Sequence, residues 1–117
     1  MFWDAEHNAI WVGTTNHEIL IVDPKTLLID KPLPETAGAD EVSADPGLGL
    51  AYAFESGAQG FDVYSIKDEK YLTTVSIGMK GPTHSGTADP MTHDIYVYAG
   101  PAASLYVYKP TEESAMK

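Results

Sequence analysis

Residues 87–98 read Thr-Ala-Asp-Pro-Met-Thr-His-Asp-Ile-Tyr-Val-Tyr, and the chain repeats this pattern twice upstream. Residues 43–54 read Ser-Ala-Asp-Pro-Gly-Leu-Gly-Leu-Ala-Tyr-Ala-Phe, and a more divergent copy, Trp-Asp-Ala-Glu-His-Asn-Ala-Ile-Trp-Val, occupies residues 3–12. Each copy consists of an aspartate-containing lead-in, a turn and a short aromatic strand. The repeat therefore sets the architecture of nearly the whole chain.

Two columns of equivalent residues keep nearly the same period. The lead-in aspartates are 41 and 44 residues apart, and a set of strand residues is 42 and 44 residues apart. The columns are Asp4, Asp45 and Asp89, and Val22, Tyr64 and Tyr108. Such periods indicate β-propeller blades, and strands that are apolar at consecutive positions suit sheets covered on both faces. We predict an all-β fold built from four-stranded antiparallel blades.

The repeat divides one partial propeller domain, residues 1–117, into three blades. The predicted blades cover residues 1–37, 38–79 and 80–110, and a polar tail covers residues 111–117. The third cycle is too short for an outer strand, so the ring is incomplete in one chain. Apolar faces left open at both ends normally drive association. We therefore expect a homo-oligomer, with a dimer favoured; completion by a different polypeptide, or a gene fragment, are the alternatives.

Composition excludes several classes of partner and site. Seventeen acidic residues oppose seven basic ones, all of them lysine, for a net charge of −10. This charge, with no arginine, argues against nucleic acid and anionic membranes as partners. The absence of cysteine excludes disulfides and thiolate sites. No apolar run is long enough to span a bilayer, and the amino terminus has no signal-peptide pattern. The chain as written is therefore expected in the cytoplasm. If it is a piece of a longer protein, that protein could be exported.

Short motifs resemble those of the YVTN-type β-propellers, a bacterial repeat family. The likeness is carried by Ile-Tyr-Val-Tyr at 95–98, Ile-Val-Asp-Pro-Lys-Thr at 21–26 and the Asp-Pro pairs at 45–46 and 89–90. The resemblance implies a ring of blades whose innermost strands line a central channel where ligands and metals bind. Segments 39–46 and 82–90 look like such innermost strands.

The candidate ligand site lies where the cycles differ. Asp40 and His84 are equivalent positions, 44 residues apart, and Glu41 and Ser85 stand beside them. If these segments line the channel, carboxylates and an imidazole could bind a divalent cation or a polar small molecule there. The alternative is that all four are solvated residues of the channel mouth or strand-entry caps. No catalytic residue or metal ligand is assigned, and no cofactor is expected beyond a possible divalent cation.

Other conspicuous residues are interpreted as framework. His7, His17 and His93 fall in predicted turns without ligand spacing and are expected to be exposed. The three lead-in aspartates are expected to bond the backbone of their turns. One aromatic column is expected to pack blade against blade, namely Trp11, Tyr52 and Tyr96.

Two functions follow from these features. The favoured one is a noncatalytic binding or scaffold module that contacts a protein or a small molecule. The alternative is a metal-dependent lactonase or hydrolase, of the kind built on six-bladed propellers, with Asp40, Glu41 and His84 as ligands or base.

Overall fold

The computed structural model describes residues 1–14, 16–35, 38–55, 60–76, 83, 85–99 and 104–110. These residues form eleven strands and no helix. The strands are β1 (Phe2–Asp4), β2 (Ala9–Gly13), β3 (Glu18–Val22), β4 (Ile29–Pro34), β5 (Ala39–Asp45), β6 (Leu50–Glu55), β7 (Gly60–Ser65), β8 (Lys70–Ser76), β9 (Ser85–Ala88), β10 (Ile95–Ala99) and β11 (Ser104–Tyr108).

The strands form three antiparallel sheets in which neighbours in sequence are neighbours in space. The first sheet has the order β1-β2-β3-β4 and the second the order β5-β6-β7-β8, while β9, β10 and β11 form a three-stranded third sheet. Meanders of this kind are the blades of a propeller. The predicted all-β fold of propeller blades is confirmed.

Two strand boundaries differ from prediction. Within the segment 39–46, the side-chain pattern predicts a strand at residues 42–44 only, but β5 begins at Ala39, with a bulge between Ala39 and Glu41. The side-chain pattern of residues 27–34 predicts an outer strand of the first sheet that begins at Leu27, but β4 begins at Ile29. Leu27 has a φ of 62°, a left-handed conformation that belongs to the preceding turn and cannot continue a strand.

The lead-in turns repeat in conformation as well as in sequence. The residue four positions after each lead-in aspartate has a positive φ: 54° at Asn8, 69° at Gly49 and 70° at His93. Glycine and asparagine adopt this left-handed conformation most readily. His93 is therefore the unusual occupant of a repeated turn position.

The first interface buries aliphatic and aromatic side chains between the first and second sheets. Trp11 is fully buried; it stacks on Phe2 at 5.4 Å and meets the Tyr64 ring edge-on at 6.1 Å between centroids. The Tyr64 hydroxyl donates to the Pro34 carbonyl at 2.8 Å and so ties the two blades together. The other core members are Ala9, Ile19, Ile21, Leu33, Val42, Ala51, Ala53 and Ile66.

The second interface joins the opposite face of the second sheet to the third. Phe54 and Phe61 are buried at its centre, 5.6 Å apart, and the Phe54 ring lies against Gly86 of β9. The other core members are Leu50, Tyr52, Val63, Ala88, Ile95 and Val97. The second blade is thus covered on both faces, and all six residues of β7 are buried.

Each outer sheet has one face against which no described element packs. On the first sheet this N-terminal end face consists of Trp3, Ile10, Val12, Leu20, Val22 and Ile29. On the third sheet the C-terminal end face consists of Tyr96, Tyr98, Leu105 and Val107. Leu105 is 61% exposed and Trp3 54%. The aromatic column therefore packs between blades at Trp11 and Tyr52, as predicted, whereas Tyr96 lies half-buried on an end face.

Candidate functional site

The innermost strands of the second and third sheets lie side by side, as a channel lining requires. The Ala88 backbone N–H donates to the Ser43 Oγ at 3.2 Å, and the Ser43 and Thr87 hydroxyl oxygens are 3.5 Å apart. These contacts join β5 to β9 without a β ladder between them. β5 and β9 therefore lie next to each other, and the ligand site predicted beside them stays a prediction.

Two of the four predicted site residues lie on these two strands and are described by the structure. Glu41 is half-buried on β5 and Ser85 is exposed at the start of β9. Both line a shallow depression of about 260 Å³. Its remaining lining consists of Gly86, Thr87, Tyr96, Tyr98 and Leu105. The side chain of Asp40 and the whole of His84 lie outside the described residues, so the four-residue ligand site stays a prediction.

Nothing in the described part of the chain forms a group of three metal-ligating side chains. Glu41 and Ser85 offer one carboxylate and one hydroxyl, fewer than the roughly six to eight oxygen ligands that Ca²⁺ takes. The hydrolase hypothesis therefore depends on Asp40 and His84 and stays a prediction.

Among the residues that the structure describes, no helix has the length and apolar character needed to span a membrane.

The lead-in aspartates bond the backbone of their own turns, as predicted. Asp89 Oδ1 accepts from the Met91 N–H at 2.8 Å and from the Thr92 N–H at 3.4 Å. The Met91 N–H, with the Thr92 N–H, holds the pKa of Asp89 below its usual range. Asp45 Oδ1 accepts from the Leu48 N–H at 3.4 Å in the equivalent turn. These carboxylates stabilise turns of the framework.

Asp45 has a second partner that sequence reasoning missed. Its Oδ2 lies 2.6 Å from His93 Nδ1, on the neighbouring blade, and the Asp45 side chain is fully buried. In the first blade, His7 Nδ1 contacts Asp4 Oδ2 at 2.8 Å within a single turn. Both histidines lie in turns, as predicted, but their rings bind carboxylates. The sequence held one sign of this contact: His93 occupies a turn position that is asparagine in the first cycle and glycine in the second.

The buried carboxylate also affects a neighbouring tyrosine. Burial, with a smaller contribution from Asp45, raises the pKa of Tyr52 above its ordinary value. The Tyr52 hydroxyl is buried and has no hydrogen-bond partner among the described residues. Tyr52 therefore stays neutral.

Asp45→Ala is expected to lower the free energy of unfolding by about 1–3 kcal/mol, because it removes two acceptor contacts from a fully buried position. Asp89→Ala is the matched control, since Asp89 is half-buried and its side chain accepts hydrogen bonds from Met91 and Thr92 within its own turn. Urea unfolding monitored by circular dichroism measures both. Equal losses in the two variants would show that the contact between blades contributes nothing.

Comparison with known proteins supports the fold but no family. No protein-family model matches the chain, and no curated protein matches it significantly. Among solved structures, 218 chains match. One is hydrazine synthase from Kuenenia stuttgartiensis, a β-propeller-containing protein, with a TM-score of 0.79 over 92% of this chain and 12% sequence identity. The fold is that of β-propeller blades. This chain spans 31% of the hydrazine synthase chain, and at this identity the likeness concerns the fold alone.

Proposed function

We propose that the chain is a noncatalytic binding or scaffold module whose propeller ring is closed by association of copies. The observation that carries this proposal is the pair of apolar end faces. Tyr98, Leu105 and Val107 on one face, and Trp3 and Ile29 on the other, are each about half exposed or more. A contiguous patch of exposed apolar side chains normally marks a site of association.

The C-terminal end face repeats the residue positions of a face that is buried inside the chain. Tyr96, Leu105 and Val107 lie 44 residues after Tyr52, Phe61 and Val63. The last three form the face of the second sheet that packs on the third. The C-terminal end face therefore has residues at the same repeat positions as a face that already packs against a neighbouring blade.

The N-terminal end face repeats the complementary half of the same interface. Ile10, Val12 and Val22 lie 41, 41 and 42 residues before Ala51, Ala53 and Tyr64. Those three residues form the face of the second sheet that packs on the first. The two end faces thus correspond to the two sides of a contact that the chain makes twice internally. Head-to-tail packing of this contact forms a ring when the rotation closes.

Two copies of three blades give a ring of about six, within the usual range for propellers. We propose a dimer of YVTN-type blades on this basis, supported by the Asp-Pro lead-ins and the Tyr96-Val97 strand.

The depression at Glu41 and Ser85 borders the C-terminal end face, because Tyr96, Tyr98 and Leu105 also line it. In the proposed ring the ligand position would therefore be completed by the neighbouring copy.

Leu105→Lys is expected to weaken self-association at least tenfold, because it places an unpaired charge in the contact between copies. Sedimentation velocity at micromolar concentration measures the change, with a dimer expected for the unaltered chain. Met91→Lys is the control, since Met91 is 86% exposed in a lead-in turn and belongs to neither end face. An unaltered chain that sediments as a stable monomer at micromolar concentration would contradict the proposal.

Metal analysis of the purified protein distinguishes the hydrolase hypothesis from the scaffold hypothesis. A stoichiometric divalent ion, or a thermal shift with calcium, manganese or zinc, would favour it over the scaffold. Asp40→Ala and His84→Ala would then show whether the channel-mouth residues carry that binding.

A further inference from the structure

We propose that the chain binds a small planar organic cation with N–H donors, of the amidinium or imidazolium class, in a cavity between the lead-in turns of the first and second blades. This inter-turn cavity shares no lining residue with the depression at Glu41 and Ser85 or with either end face. The inference therefore does not depend on ring closure.

The inter-turn cavity has a volume of about 400 Å³. Residues of the first lead-in turn line one side of it, and residues of the second lead-in turn and of the turn between β7 and β8 line the other. Pro46, Leu48 and Ile66 supply apolar surface. A cavity of this volume holds a small aromatic compound.

The second interface shows which group the chain itself places at the corresponding position. There Asp45 Oδ2 lies 2.6 Å from Nδ1 of His93, four positions after the lead-in aspartate of the next blade. In the first interface the corresponding pair is Asp4 and Gly49, and both line the inter-turn cavity. An added Cβ at Gly49 would have nothing within 4 Å. A planar nitrogen ring therefore fills this position in the second interface, and a cavity takes its place in the first.

His7 supplies a hydrogen-bond acceptor in the inter-turn cavity. Its Nδ1 lies 2.8 Å from Asp4 Oδ2, and the ring lines the cavity. Because a carboxylate accepts hydrogen bonds, this contact places the ring proton of the neutral imidazole on Nδ1 and leaves Nε2 as an acceptor. An N–H group of a ligand in the cavity can donate to that nitrogen.

The charges around the inter-turn cavity favour a cation. In the second interface the His93 ring lies against Gly47, since an added Cβ there would be 3.1 Å from His93 Cε1. The equivalent of Gly47 in the first turn is Glu6, which lines the cavity. The lining thus has two carboxylates, from Asp4 and Glu6, and one ammonium group, from Lys67. On a chain of net charge −10, this excess of negative charge attracts cations and repels anions.

These features define the ligand. It is planar and has N–H donors, as the His93 ring does in the second interface, it carries a positive charge, and it has an apolar part. An organic cation is favoured over a metal ion, because the described residues form no group of three metal-ligating side chains. Benzamidinium meets all of these conditions.

The probes are benzamidinium and benzoate, which have nearly the same shape and opposite charge. Each is titrated into the isotopically labelled full chain and followed by NMR. Benzamidinium is expected to bind saturably in the millimolar range, with shifts in His7, residues 47–49 and Lys67, and at least tenfold more tightly than benzoate. The proposal would be overturned by equal binding of the two probes, by the absence of saturable binding, or by shifts that leave these residues out.

Gly49→His places the ring of the second interface in the inter-turn cavity and is expected to weaken benzamidinium binding at least tenfold. The backbone accommodates this change, because His93 adopts a φ of 70° at the equivalent position and Gly49 a φ of 69°. Met91→His is the matched control, since Met91 is 86% exposed in the third lead-in turn and does not line the cavity. It is expected to leave binding unchanged.

Glu6→Gln tests the charge and decides the matter if Gly49→His does not fold. Glu6 is exposed in its turn, so the substitution leaves the fold intact. It is expected to weaken benzamidinium binding at least threefold without weakening that of benzoate. Unchanged binding of benzamidinium by Glu6→Gln, or by a folded Gly49→His variant, would refute the proposal.

Discussion

Trp11→Ala is expected to lower the free energy of unfolding by about 3–5 kcal/mol, the range for removing a large aromatic side chain from a core. Trp11 is fully buried between Phe2 and Tyr64, so its loss leaves a cavity that spans the contact between the first and second blades. The indole Nε1 has no hydrogen-bond partner among the described residues, so the whole loss is in packing. A loss of this size is a large share of the stability of a small domain.

Urea unfolding followed by far-ultraviolet circular dichroism measures the effect, because the substitution removes a fluorophore. Trp3→Ala is the control: it is the same change on the same sheet, at a side chain that is 54% exposed. Measured under dilute conditions where copies are separate, Trp3→Ala is expected to cost less than about 1 kcal/mol. Similar losses in both variants would mean that Trp11 does not hold the blades together.

The repeat made most of the strand framework predictable because each cycle has to bury the same faces. In β3, Ile19 and Ile21 point to the second sheet, while Leu20 and Val22 point to the N-terminal end face. A strand that is apolar on both sides needs cover on both sides. For this reason the sequence alone could predict stacked blades and open ends, without any knowledge of the actual contacts.

The local backbone of the turns was less predictable. Leu27 and Glu69 have φ values of 62° and 50° at equivalent positions of the outer turns, 42 residues apart. Neither residue type favours the left-handed region, so tertiary context sets the conformation. A strand predicted from side-chain pattern therefore extended two residues too far toward Leu27.

Contacts between cycles were the least predictable part of the candidate site. Asp45 and His93 are 48 residues apart, and nothing in either local sequence names the other as its partner. Glu41 and Ser85, by contrast, are equivalent positions of neighbouring cycles, 44 residues apart, and both line one depression; the ligand site itself stays a prediction. Repeat equivalence thus predicts which strands meet, while specific polar pairs depend on side-chain geometry.

Gly86→Ala is expected to lower the free energy of unfolding by about 2–3 kcal/mol, the upper part of the range for overpacking a core. Gly86 lies on β9 against the ring of Phe54, and a Cβ at this position would overlap that ring. Phe54 is fully buried and 5.6 Å from Phe61, so the ring cannot move without displacing the second interface. Unfolding in urea, with the midpoint and slope both fitted, gives the change in stability.

A double-mutant cycle tests this cause directly. Phe54→Leu makes room for the added methyl group, so Gly86→Ala is expected to cost less in that background, with a coupling energy of at least about 1 kcal/mol. Gly49→Ala is the control: an added Cβ there has nothing within 4 Å, and its cost arises from the left-handed φ of 69°. Its effect is expected to add to that of Phe54→Leu. If Gly86→Ala is additive as well, the close contact between β9 and the Phe54 ring does not limit how the second and third blades pack.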